Sequence, residues 1–247
     1  MHIANSDGLA TIFSSQPDPA GVLPFVTGGL ALLLVLSRSP WRWARTVVTI
    51  VHEAGHAVVA LLAGRRLQSI RLHSDTSGVT ASRGKPTGPG MIFTALAGYP
   101  APSLLGLAFA ALLAANRITV VLIVAAVLLL AVLVVVRNVY GVFAVVASSA
   151  VLGVVAFVAT PSVQAWFVYA VTWFLLFGGV RPLFELQRKR YRGSANASDI
   201  DQLGWLTGTP PILWLLIIGV FTVGCLVLGG LWLLEPALNS MLNGPTL

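Results

Sequence analysis

A chain of 247 residues that is 57% hydrophobic and only 9% charged cannot cover a water-facing surface, since soluble domains carry about 25% charged residues. Lipid must solvate it, and a bilayer core asks for about 20 apolar residues per helix. The net charge of +7 lies in loops between apolar runs, where it sets orientation and meets anionic headgroups. No nucleic acid is expected as a partner.

Residues 1–20 form a polar segment without Lys or Arg. The basic start of a signal peptide is missing there, so the first apolar run reads as a retained helix. Cys225 is the only cysteine, which excludes an intramolecular disulfide and a cysteine metal cluster. The hydrophobic pattern predicts an all-α integral membrane protein of about seven transmembrane helices within one domain, 21–234, and a tail at 235–247.

The first span covers 21–37, and a basic link follows (Arg38, Trp41, Arg42, Trp43, Arg45) that suits a membrane interface. The second covers 46–64. Residues 65–90 are polar and glycine-rich, and alternation around Ser74 to Gly78 predicts a small β-hairpin over about 67–82, Asp75 serving its turn. The third span, 91–115, is interrupted at Gly98 to Pro102, where Pro100 and Pro102 bend it. The fourth, fifth and sixth cover 118–136, 139–159 and 162–179. A polar loop at about 181–210 precedes the seventh span, 211–234.

With seven spans, Arg38, Arg42, Arg45 and Arg117 share one side, and the other eleven of the 15 basic residues share the opposite side. The positive-inside rule makes that richer side, with the 181–210 loop, cytoplasmic.

The second span reads His52-Glu53-Ala54-Gly55-His56, H-E-x-x-H on a helix. Two histidines four apart share one face, so both imidazoles can reach one Zn²⁺ at about 2.0–2.1 Å. Glu53 is displaced around the helix, where it can act on a zinc-bound water as general base. Three ionisable residues in one apolar turn are costly unless paired or ligating, and this span has no Lys or Arg to pair with them. Catalytic zinc takes a third protein ligand. His2 lies at the terminus, His73 in the hairpin, and Glu185 and Glu235 flank spans, which leaves the pair Asp199 and Asp201.

The combination resembles the site-2 protease family, and within it a compact bacterial branch. In that family the H-E-x-x-H helix is followed by a β-structured loop with a Gly-x-Thr-type strand, matched by Gly78-Val79-Thr80. The family's Ala-Gly-Pro segment is matched in part by Ala97-Gly98-Tyr99-Pro100. The Leu-Asp-Gly motif of larger members is absent. The compact branch carries its acidic ligand in a Ser-Asp-x-x-x-Leu segment before the last span, and Ser198-Asp199-Ile200-Asp201-Gln202-Leu203 fits it. The resemblance therefore implies Asp199 as third ligand, with Asp201 the alternative.

It further implies an intramembrane zinc metalloprotease acting on transmembrane proteins or peptides, in a bacterial plasma membrane, with its site towards the cytoplasm. Gly78, Thr80 and Asn138 are candidate substrate-binding residues, the hairpin offering an edge strand to an extended chain. For Asn138 a capped helix end is the plainer reading. The alternative function is a catalytically silent zinc-containing chaperone or regulatory binding protein. Glu53 argues against it, because structural zinc needs no base. A metal transporter would need ligands from several spans, and the other spans here offer almost no ionisable residues.

Overall fold

The computed structural model describes residues 21–193 and 198–243. The polar segment 1–20, with His2, and the last residues of the expected tail, 244–247, lie outside the described residues. Helices α1 (Leu23–Leu36) and α2 (Arg38–Leu62) are joined by an extended Ser37, and the hairpin strands β1 (Arg66–Leu72) and β2 (Gly78–Arg83) follow. Next come α3 (Pro89–Leu96), α4 (Pro100–Ala114), α5 (Ile118–Val135), α6 (Val139–Val158) and α7 (Pro161–Tyr191). A short α8 (Asp199–Thr207) leads into α9 (Pro211–Asn243), so helix continues through Glu235 and Pro236.

By length and composition five of these helices could cross a membrane: α2, α5, α6, α7 and α9. The bent pair α3 and α4 would make a sixth. The expected first span is only the 14-residue α1, about 21 Å long against a core of about 30 Å. The expected third span is broken by 66° at Gly98 to Pro100. There Pro100 opens α4 as its first residue, a position that tolerates its missing N–H.

Two further expectations change. The loop at 181–210 is largely helical, since α7 runs on to Tyr191 and α8 begins at Asp199. A helix leaving the apolar layer has no need of apolar residues, and here Arg181 and Glu185 pair one turn apart, 2.9 Å. The link at 38–45 also shares one end of the molecule with 181–192, contrary to the seven-span count. Glu185 accepts a hydrogen bond from Trp41 Nε1 at 2.8 Å and pairs with Arg45 at 3.4 Å. The α3–α4 segment is also not one straight crossing: it bends by 66°, and α3 starts beside Ala63 at the end of α2.

Helices α1, α4, α7 and α9 pack around a shared core that includes Phe109, Leu176 and Leu233. The hairpin forms largely as expected, with Ser77 N–H and Oγ–H both donating to Asp75 Oδ1. Its β1 edge is closed by the α5–α6 turn, where Arg137 N–H donates to Ile70 O and Val136 bridges Ile70. Asn138 completes that closure, accepting from Leu72 N–H at 3.1 Å and donating to Leu72 O at 2.6 Å. Its amide thus engages the β1 backbone from both sides.

Candidate metal centre

Helix α2 carries an amphipathic pattern, and the face bearing Glu53 and His56 is buried. His56 Nδ1–H donates to the carbonyl of Thr94 on α3 at 2.6 Å. A second-shell bond of this kind fixes the tautomer and leaves the Nε2 lone pair for a metal. His52 Nε2 lies 3.1 Å from His56 Nε2, and its ring stands perpendicular to that of Tyr99, centroids 4.9 Å apart.

Asp199 reaches the same point from α8. Ile200 and Leu203, fully buried against Ala95, Leu183, Leu186 and Ile218, seat that helix. Asp199 Oδ2 then stands 3.0 Å from His52 Nε2 and 3.3 Å from His56 Nε2.

The donor set fits a zinc ion. Two ligands about 2.0–2.2 Å from a tetrahedral metal stand about 3.3–3.6 Å apart, close to the 3.0–3.3 Å triangle formed here. Two imidazole lone pairs and a carboxylate at such range call for a cation between them. The space is kept open by Gly98, where a Cβ would collide with Nε2 of both histidines. Gly98→Ala is accordingly expected to cut the zinc content of the purified protein well below one ion per chain. Its far-UV circular dichroism should match the parent.

Glu53 points to the hairpin. Thr80 Oγ1–H donates to Glu53 Oε2 at 2.6 Å, and a Cβ on Gly78 would strike the same carboxylate. Both residues, expected on the substrate path, here hold and admit Glu53. Asp201 is engaged elsewhere: Ser198 N–H and Oγ–H donate to its Oδ2, and its Oδ1 pairs with Arg190 at 2.6 Å. With Ser198 it forms the capping box of α8, and Ser at N-cap followed by an acid at N3 is a signal readable in the sequence. Burial would raise its pKa, yet Ser198 and Arg190 lower it below the usual carboxylate value.

His73 lies in the hairpin turn, 3.3 Å from Ser77 Oγ, and Glu185 serves Trp41, Arg45 and Arg181. The triad and Glu53 open on a cavity of about 460 Å³ whose wall includes Arg45, Thr49, Thr80, Tyr99, Pro182 and Gln202. Among the described residues, His52, His56 and Asp199 are the cluster able to hold a metal ion. The carbonyl of Thr94 and the ring of Tyr99 carried no sequence signal, because neither residue type is diagnostic of a metal site.

Apolar spanning helices, a His-His-Asp triad and a buried glutamate beside it together define a membrane protein with a metallopeptidase-like centre. The chain matches the family described as Peptidase M50B-like over residues 25–229 and belongs to that family, which is of the site-2 protease type. No curated protein and no solved structure matches it.

Proposed function

We propose that this protein is an intramembrane zinc metalloprotease of the compact bacterial branch, hydrolysing peptide bonds in or near transmembrane segments of other proteins. The observation that carries the reading is the convergence of His52, His56 and Asp199 within 4.8 Å beside a glutamate on the next position of the same helix. Zinc, when bound, would supply a Lewis acid that polarises the scissile carbonyl and brings the pKa of a water near neutrality.

The protein's own residues do the rest. Glu53 takes the proton of the attacking water and returns it to the leaving amine. Thr80 holds Glu53 Oε2, so the carboxylate keeps one orientation while the proton passes. Among the described residues, Gly78, Val79, Thr80 and Ser82 of β2 line the cavity and no residue of β1 does. An extended substrate can add there as a third strand.

The end carrying Arg38 to Arg45 and Arg181 to Arg192 faces the cytoplasm by the positive-inside rule. Arg45, Ser198 and Asp199 line the cavity, which supports a site reached from that end. In the test, purified protein meets a panel of transmembrane peptides, with zinc measured by elemental analysis. Cleavage should stop on chelation and return with added zinc. Stoichiometric zinc with no cleavage across the panel would sink the protease reading in favour of a silent zinc-containing chaperone.

A further inference from the structure

Away from the metal centre, the basic end of the molecule is built around one carboxylate. Glu185 accepts from Trp41 Nε1 and pairs with Arg45 and Arg181, and the Arg181 guanidinium lies over the Trp41 ring, 4.6 Å from its centroid. That knot spends Glu185 on two cations. A cavity of about 440 Å³ beside it is walled by Arg42, Arg188, Lys189 and Arg192, and Glu185 is its only acid among the described residues. Arg42, Arg188 and Arg192 are exposed, and among the described residues no carboxylate lies in ion-pair range of any of them.

A second cavity, of about 380 Å³, adjoins this one, with Arg188 and Glu185 lining both. The second cavity has a different character. Arg38 and Arg181 line it together with Leu32, Leu36, Phe177, Val180, Phe184 and Leu226. It is a furrow between α1 and α7, with Leu36 66% and Phe184 69% exposed.

Surplus cations above an apolar furrow, at the end of a membrane-spanning bundle, are the two halves of one complementarity. We propose that this face is a binding site for an anionic phospholipid. Its phosphate would sit among Arg42, Arg188 and Arg192, and one acyl chain would lie along the α1–α7 furrow. Charge selects the headgroup, because a zwitterionic lipid brings its own cation into a cavity that already holds a surplus. The furrow selects lipid over free phosphate, because only a lipid can cover Leu36 and Phe184. Basic pockets between transmembrane helices bind such headgroups in general. Arg45 lines both this pocket and the metal-centre cavity, so the two sites share a wall.

The test titrates the full chain in detergent with phosphatidylglycerol and with phosphatidylcholine of the same acyl chains, counting bound lipid by native mass spectrometry. Inorganic phosphate forms a third arm. Phosphatidylglycerol is expected to bind at least about tenfold more tightly than phosphatidylcholine. Arg42→Gln with Arg188→Gln should weaken it about thirtyfold, at about 1 kcal/mol per cation, whereas the double Lys variant should retain it. Leu36→Trp, which fills the furrow from an exposed position, should weaken the lipid and leave phosphate unchanged. If the double Gln variant does not fold, Arg192→Gln alone should still cost about fivefold. Equal binding of the two lipids, undiminished binding in the Gln variants, or phosphate binding as tightly as lipid would each overturn the proposal.

Discussion

Asp199→Ala is expected to empty the metal centre, while Asp201→Asn leaves it filled. Asp199 Oδ2 stands within 3.3 Å of both histidine Nε2 atoms, so its removal takes away one of three donors. Outer-shell partners alone cost roughly 10–100-fold in metal affinity, and loss of a direct ligand should exceed that. Asp201 turns the other way, into the capping box and the Arg190 pair. Its replacement should cost at most about 1 kcal/mol of stability, with zinc unchanged. Elemental analysis of the two purified variants decides it. Zinc retained by Asp199→Ala and lost by Asp201→Asn would exchange their roles.

Glu53→Gln should abolish peptide cleavage and spare the metal. A glutamine keeps the shape of the side chain and can still accept from Thr80 Oγ1, so the packing against Gly78 survives. What disappears is the capacity to take a proton. General acid–base catalysis contributes about 10²–10⁴-fold, and turnover of any peptide the parent cleaves should fall by that order. A single-turnover assay at matched zinc content measures it. Turnover within about twofold of the parent would show that Glu53 is not the base.

The metal centre divides into parts that were legible in the sequence and parts that were not, and range along the chain separates them. His52, Glu53 and His56 lie within one turn of helix, so their relation follows from the helical period. Asp199 lies 147 residues from His52, and only its motif resemblance singled it out from Asp201. The role of Thr80 depends on how the hairpin lies along α2, a tertiary fact with no local periodicity. Asn138 was read by its position at a helix end, yet its amide answers the backbone of Leu72.

The membrane topology shows the same division. Apolar runs mark α5, α6 and α9 plainly, since each is long and uniformly hydrophobic. Counting sides requires every apolar run to cross once, and the contacts of Trp41 and Arg45 with Glu185 bring 38–45 and 181–192 to one end against that count. The charged stretch from Arg181 looks like a loop in the sequence, yet α7 continues through it into a more polar setting.

The triad has a mechanical side as well. His52 and Asp199 close a loop of 147 residues that contains β1, β2 and every helix from α3 to α7. The entropy of closing a loop grows with its length, and the lone Cys225 leaves no disulfide to meet it. An ion gripped by α2 and α8 together would act as that missing cross-link, its binding energy to the folded state offsetting the cost of closure. The same three side chains that prepare a metal for chemistry would thus also fasten an early helix of the chain to a late one.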